Sequence, residues 1–109
     1  MTNKCEAIRR LNDSFRKDFR GGMAFITPGV SALGEEAVAR IVKTISVFDD
    51  FSHENDPHQE HDFGAFDAEG ERIFFKIDYY DKGLQFHSKD PADSLITERV
   101  ITILLAKEY

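Results

Sequence analysis

Phe63-Gly64-Ala65-Phe66-Asp67-Ala68-Glu69-Gly70-Glu71-Arg72-Ile73-Phe74-Phe75-Lys76-Ile77-Asp78-Tyr79-Tyr80 reads as two strands folded back at a glycine turn. A three-residue loop Ala68-Glu69-Gly70, with Gly70 in the left-handed region, predicts that Asp67 pairs with Glu71. Phe63 then faces Phe75, Ala65 faces Ile73 and His61 faces Ile77 on the apolar side. The polar side sets Asp62 against Lys76 and Glu60 against Asp78. A shift of one residue would put Asp62 among Ile73, Phe75 and Ile77, where an unpaired carboxylate is costly, so the first register is expected.

After the hairpin, Lys82-Gly83 offers a two-residue turn into a strand Leu84 to His87, which pairs Tyr79 with Phe86 and Asp78 with His87. Asp90 as N-cap, Pro91 at the first helical position and Asp93 in the first turn predict a last helix with Ile96, Val100, Ile103 and Leu104 as its stripe. Upstream, Asn3 and Glu6 form a capping box for a first helix that carries Ile8, Leu11, Phe15 and Phe19 and ends at Gly21-Gly22. Met23 to Thr27 predicts a short strand closed by a Pro28-Gly29 turn. Gly34 to Val47 predicts a second helix, with Val38, Ile41, Val42 and Ile45 inward and Glu35 and Glu36 favoured by the dipole of its first turn. Between that helix and the hairpin, Phe48 to Phe51 reads as a short strand or helix end, and His53 to His58 as an irregular loop. The expected fold is α+β: an antiparallel sheet of about four to five strands packed against three helices, in the order α-β-α-β-β-β-β-α.

The 109 residues, 41% of them hydrophobic and 31% charged, suit one domain spanning 1–109. Cys5 is the only cysteine, which excludes an intramolecular disulfide and any multi-cysteine zinc site. The amphipathic start and the short apolar run Val100 to Ala106 predict neither secretion nor a membrane span, hence a cytoplasmic protein. The net charge of −6 is uneven. Residues 1 to 22 carry Lys4, Arg9, Arg10, Arg16, Lys17 and Arg20 against Glu6, Asp13 and Asp18, so the remainder is strongly acidic. Such a body repels phosphate backbones, so direct nucleic-acid binding is not expected, while a basic protein or a metal cation is favoured.

Between Val47 and Glu71 stand Asp49, Asp50, Glu54, Asp56, Glu60, Asp62, Asp67, Glu69 and Glu71 without one Lys or Arg. Asn55-Asp56-Pro57 predicts a side-chain-stabilised turn. Asp49, Asp50, Glu54, Asn55 and Asp56 are therefore the expected partner-binding residues. Arg9, Arg16 and Arg20 form a basic face that has the alternative of pairing with these acids within the fold. On the sheet, Glu60, Asp62, Lys76 and Asp78 are the catalytic candidates, and Glu60, Asp78, His87, His58 and His61 the metal candidates. Carboxylates and imidazole at cross-strand distance bind divalent cations or divide acid and base roles. The plain alternative is a solvated sheet face, with Asp62 and Lys76 as an ordinary cross-strand pair and His61 packed against a neighbour such as Asp56. No phosphate-binding glycine loop, nucleophile elbow or kinase signature is present.

Asn55-Asp56-Pro57 with Glu60-His61-Asp62-Phe63-Gly64, Lys76-Ile77-Asp78-Tyr79-Tyr80-Asp81, Asp90-Pro91-Ala92-Asp93 and the tail Arg99-Val100 to Glu108-Tyr109 resemble the domain of unknown function 3768, a family of small bacterial proteins. The resemblance covers nearly the whole chain. It implies no reaction or ligand. Glu60, His61, Asp62, Lys76 and Asp78 fall inside its motifs and His87 falls outside. Members look like accessory proteins, some tied to plasmids or other mobile elements, which implies interaction with host machinery. The expected function is a non-enzymatic module presenting an acidic surface to a basic protein partner, such as an anti-restriction or anti-CRISPR type inhibitor, and needing no cofactor. The alternative is a metal-dependent hydrolase or nuclease that uses the sheet-face cluster with a divalent metal.

Overall fold

A computed structural model describes residues 3–109. Helix α1 spans Lys4–Asp18, strand β1 Gly22–Ile26, helix α2 Pro28–Ser31 and helix α3 Glu35–Ser46. Strands β2 Phe63–Ala68, β3 Glu71–Asp81 and β4 Thr97–Leu105 follow, and a 3₁₀ turn closes the chain at Ala106–Glu108. The expected α+β class holds, with three α-helices and a four-stranded sheet ordered β1-β4-β3-β2. The sheet is mixed, because β1 runs parallel to β4 while the other pairs are antiparallel.

The local signals for the first helices act as expected. Asn3 Oδ1 accepts the Glu6 N–H at 2.8 Å, and α1 ends at Phe19, whose φ of 60° breaks the helical path. Where a Pro28-Gly29 turn was expected, Thr27 caps the single helical turn α2, with Pro28 in its first turn. The core lies between α1, α3 and one sheet face, and is built from Ile8, Phe15, Ile41, Ile45, Ile73, Phe75, Ile77, Ile101 and Ile103. No helix among the described residues is long and apolar enough to cross a membrane.

Three expectations are corrected. The last helix is instead the central strand β4, flanked by β1 and β3, with Val100, Ile101, Ile103, Leu104 and Leu105 all buried. A strand covered on both faces shows a continuous apolar run rather than alternation, and such a run also fits a buried helix. Asp90 and Asp93 make side-chain turns instead of helix caps: their carboxylates accept the N–H groups of Ala92 at 3.2 Å and Leu95 at 2.9 Å.

The hairpin register is shifted by one. Ala68 pairs with Glu71, Phe66 with Ile73, Gly64 with Phe75 and Phe63 with Lys76. The turn is the two residues Glu69 and Gly70, with φ of 55° and 75°, which suits the twist of the flanking strands. Arg40 grips the strained Glu69 with two hydrogen bonds, of 3.1 and 2.6 Å. Asp62 itself stays outside β2, and only its carbonyl joins the ladder, accepting the Ile77 N–H at 2.8 Å.

The expected strand from Leu84 to His87 reduces to one bridge, Tyr80 to His87. The Asp81 N–H donates to Phe86 O, and the Ser88 N–H to Tyr79 O. Tyr79 therefore does not meet Phe86, nor Asp78 His87. Leu84 and Phe86 are left exposed.

Candidate functional site

The inner face of α1 carries two buried polar side chains, Asn12 and Arg16, alongside Ile8 and Phe15. Asn12 is fully satisfied. Its Nδ2 donates to the Tyr79 hydroxyl at 2.7 Å and to the Glu60 carbonyl at 3.0 Å, and its Oδ1 accepts from Arg99 Nε at 2.8 Å. The Tyr79 hydroxyl in turn donates to Glu60 Oε1 at 2.8 Å. Arg99, from β4, also donates to the Pro91 carbonyl, and its guanidinium lies 5.3 Å from the centre of the Tyr79 ring. One helix, two strands and two loops thus meet on a network in which each buried group has a partner, the arrangement that low dielectric demands. Burial pushes the Tyr79 phenol well above the ordinary tyrosine range, and the Glu60 carboxylate reinforces this against the donating Asn12 amide. Burial likewise lowers the pKa of Arg99, against the stabilising influence of Tyr79 and Glu60.

The acidic loop is tied to α1 beside this network. Asp56 is buried, and its Oδ1 accepts the N–H groups of Glu60 and His61, both at 3.1 Å. Asn55 Oδ1 accepts the Ser52 N–H at 2.9 Å, and the Asp56 N–H donates to Ser52 O at 2.7 Å. From α1, Cys5 Sγ–H donates to His58 O at 2.7 Å, Arg9 to Gln59 O at 3.1 Å and Arg16 to Phe48 O at 3.2 Å.

The His61 ring stacks on Phe51 at 3.8 Å, with its Nδ1 2.8 Å from Asp13 Oδ1 and its Nε2 3.7 Å from Asp56 Oδ2. Arg16 pairs with Asp13 and lies over the Phe51 and Phe75 rings, at 5.0 and 5.7 Å. Two open clefts flank the Phe51–His61 stack. One, of about 280 Å³, is lined by Arg9, Ser52, His53 and Gln59. The other, of about 410 Å³, is lined by Lys17, Val47 and Asp49.

The residues expected to form one cluster are dispersed. Glu60 lies beside Tyr79 on the helix side of the sheet, because His61 takes a φ of 56° and carries the chain out of strand geometry. Lys76 and Asp78 stand on the opposite face, 3.4 Å apart, as an ion pair within β3. The expected pairings of Asp62 with Lys76 and of Glu60 with Asp78 are therefore absent. Asp62 is partly buried, and burial raises its pKa, helped by the nearby carboxylate of Glu60. His58 is exposed and engaged through its backbone, and His87 is exposed with Nδ1 3.0 Å from Ser88 O. Among the described residues, no three His, Cys, Asp or Glu side chains are grouped as a metal ion requires.

Within the expected partner surface, Asp49, Asp50 and Glu54 are exposed, whereas Asn55 is half-buried and Asp56 is consumed by the fold. Arg9, Arg16 and Arg20 pair with Glu6, Asp13 and Asp18, their own neighbours, instead of the loop carboxylates. Sequence reasoning missed Asn12, Arg99 and Phe51, and read Arg16 only as part of a basic face, not as a buried group. A polar residue on an apolar helix stripe, as Asn12 is between Ile8 and Phe15 and Arg16 is between Phe15 and Phe19, was the available signal.

The chain is thus an α+β domain that combines a polar core network with a clasped acidic loop. The model of the family described as "Protein of unknown function (DUF3768)" matches residues 26–108, and the chain belongs to that family. The match begins at the end of β1, so α1 and its clasp residues precede it. Neither a curated protein nor a solved structure matches the chain.

Proposed function

We propose that this chain is a non-enzymatic binding module that presents an acidic surface to a basic protein partner. One observation carries the reading. Asp49, Asp50 and Glu54 stand exposed, and among the described residues they have no ion-pair partner, on a loop anchored through the buried Asp56 and through backbone carbonyls bonded by α1. A loop already held by Asp56, Asn55 and α1 loses little conformational freedom on binding, so its charges act at low entropic cost. Their like sign favours fast, salt-sensitive association with a cationic groove.

An anti-restriction or anti-CRISPR type inhibitor from a bacterial mobile element, acting in the cytoplasm, is the specific role this chemistry suits, because enzymes that handle nucleic acids expose such grooves. The metal-dependent alternative draws less support, with Glu60 engaged by Tyr79 and Asp78 by Lys76.

The test is affinity capture from a native host followed by binding with the purified partner. A basic protein is expected, bound more weakly at high salt and about tenfold or more weakly by the variant with Asp49→Lys, Asp50→Lys and Glu54→Lys. Equal affinity for the charge-reversed and native chains would overturn the reading.

A further inference from the structure

Strand β1 forms one edge of the sheet and is bare. Met23, Ala24, Phe25 and Ile26 are all exposed, and among the described residues only β4 pairs with the strand. Edge strands are ordinarily blunted by charge, proline or a covering element. Here residues 21–34 contain no charged side chain, the longest such run in the chain.

The backbone parity of β1 can be assigned. The Thr27 N–H donates to Ile103 O at 3.1 Å, and alternation along the strand turns the backbone groups of Met23 and Phe25 toward β4 as well. The N–H and C=O groups of Gly22, Ala24 and Ile26 therefore point outward.

We propose that two copies of this chain join through their β1 edges, antiparallel about a two-fold axis at Ala24. Ala24 then exchanges hydrogen bonds with its own copy, and Gly22 with Ile26 of the other copy. No other centre engages all three outward residues. Met23 falls opposite Phe25 of the other copy in the closer, non-hydrogen-bonded kind of pair, so the apolar contact is repeated on both sides of the axis. Both side chains border an open hollow of about 290 Å³, lined also by Tyr80, Leu84 and Val100, which extends the apolar surface across the outer sheet face.

A second copy fits this edge because the strand complements itself, and because charge selects the approach. Each body carries −6, and the uncharged run is where two such bodies meet with least repulsion.

Sedimentation and light scattering across a concentration series should give twice the chain mass for the native protein. Ala24→Pro removes one outward N–H at the axis and no bond to β4, a position at which an edge strand accepts proline. It should weaken association at least about tenfold with an unchanged circular dichroism spectrum. A native chain that stays monomeric at its highest soluble concentration leaves the edge to a strand of some other protein and overturns the proposal, as does undiminished association of a folded Ala24→Pro variant.

Should Ala24→Pro not fold, oxidative cross-linking in a Cys5→Ser background decides. Cα atoms of a hydrogen-bonded antiparallel pair lie about 5.5 Å apart, within disulfide reach, so Ala24→Cys should form a covalent dimer and the exposed Val47→Cys should not. Equal cross-linking of the two overturns the proposal.

Discussion

Asp56 and His61 are joined twice: the Asp56 carboxylate accepts the His61 backbone N–H at 3.1 Å, and its other oxygen stands 3.7 Å from His61 Nε2. This contact spans five residues and closes the second half of the loop, whose first half carries the exposed Asp49, Asp50 and Glu54. The left-handed φ of 58° at Gln59 and of 56° at His61 is held in place by these bonds.

Asp56→Ala should therefore remove the clasp. Two N–H groups lose a charged acceptor, and a loss of about 2–4 kcal/mol is expected. Urea unfolding measures it, and Asp56→Asn should recover part, since its amide oxygen still accepts. Backbone hydrogen exchange at Glu60 and His61 should accelerate in the alanine variant.

Tyr79 sets an alkaline limit. Its folded pKa lies above the unfolded value, so the stability it contributes is intact below pH about 10 and is lost as pH climbs from there toward the folded value. Tyr79→Phe should cost about 1–2 kcal/mol at neutral pH by leaving Glu60 without its donor. That difference should narrow above pH about 10, by up to about 1.4 kcal/mol per pH unit, in denaturation curves taken across the range.

Asp62 acts in the opposite sense to most carboxylates. Burial, then Glu60, raises its folded pKa, so its favourable contribution is full below the unfolded pKa of about 3.9 and is lost as pH rises through the folded value. Asp62→Asn should raise the melting temperature at neutral pH and not in strong acid. Thermal melts at the two pH values check this, and an equal change at both would contradict it.

Gly64 faces Phe75 across the hairpin, and a Cβ there would overlap the Phe75 ring and come within 2.7 Å of Phe48. Gly64→Ala should destabilise by about 3 kcal/mol in urea, because both rings belong to a packed aromatic cluster and have little room to move.

Much of the fold was legible because its signals are local. The Asn3 cap, the helical spacing of Val38, Ile41, Val42 and Ile45, and the positive φ at Gly70 each depend on residues within a turn of one another. The acidic loop was legible as composition, and its clasp was foreshadowed by the expectation that His61 would pack against Asp56.

Short-range patterns of residues suffice for the α+β class, α1, β1, α3, the hairpin and the place of the exposed acids. The tertiary structure alone decided that Val100 to Leu105 is a strand, since burial between β1 and β3 erases its period. It decided the hairpin register, since only the assembled core sets the Phe75 and Phe48 rings against Gly64. It also turned Glu60 inward and set the His61 ring against α1, because their partners Asn12, Tyr79 and Asp13 are remote in sequence, and no local pattern announces a bond made across that distance.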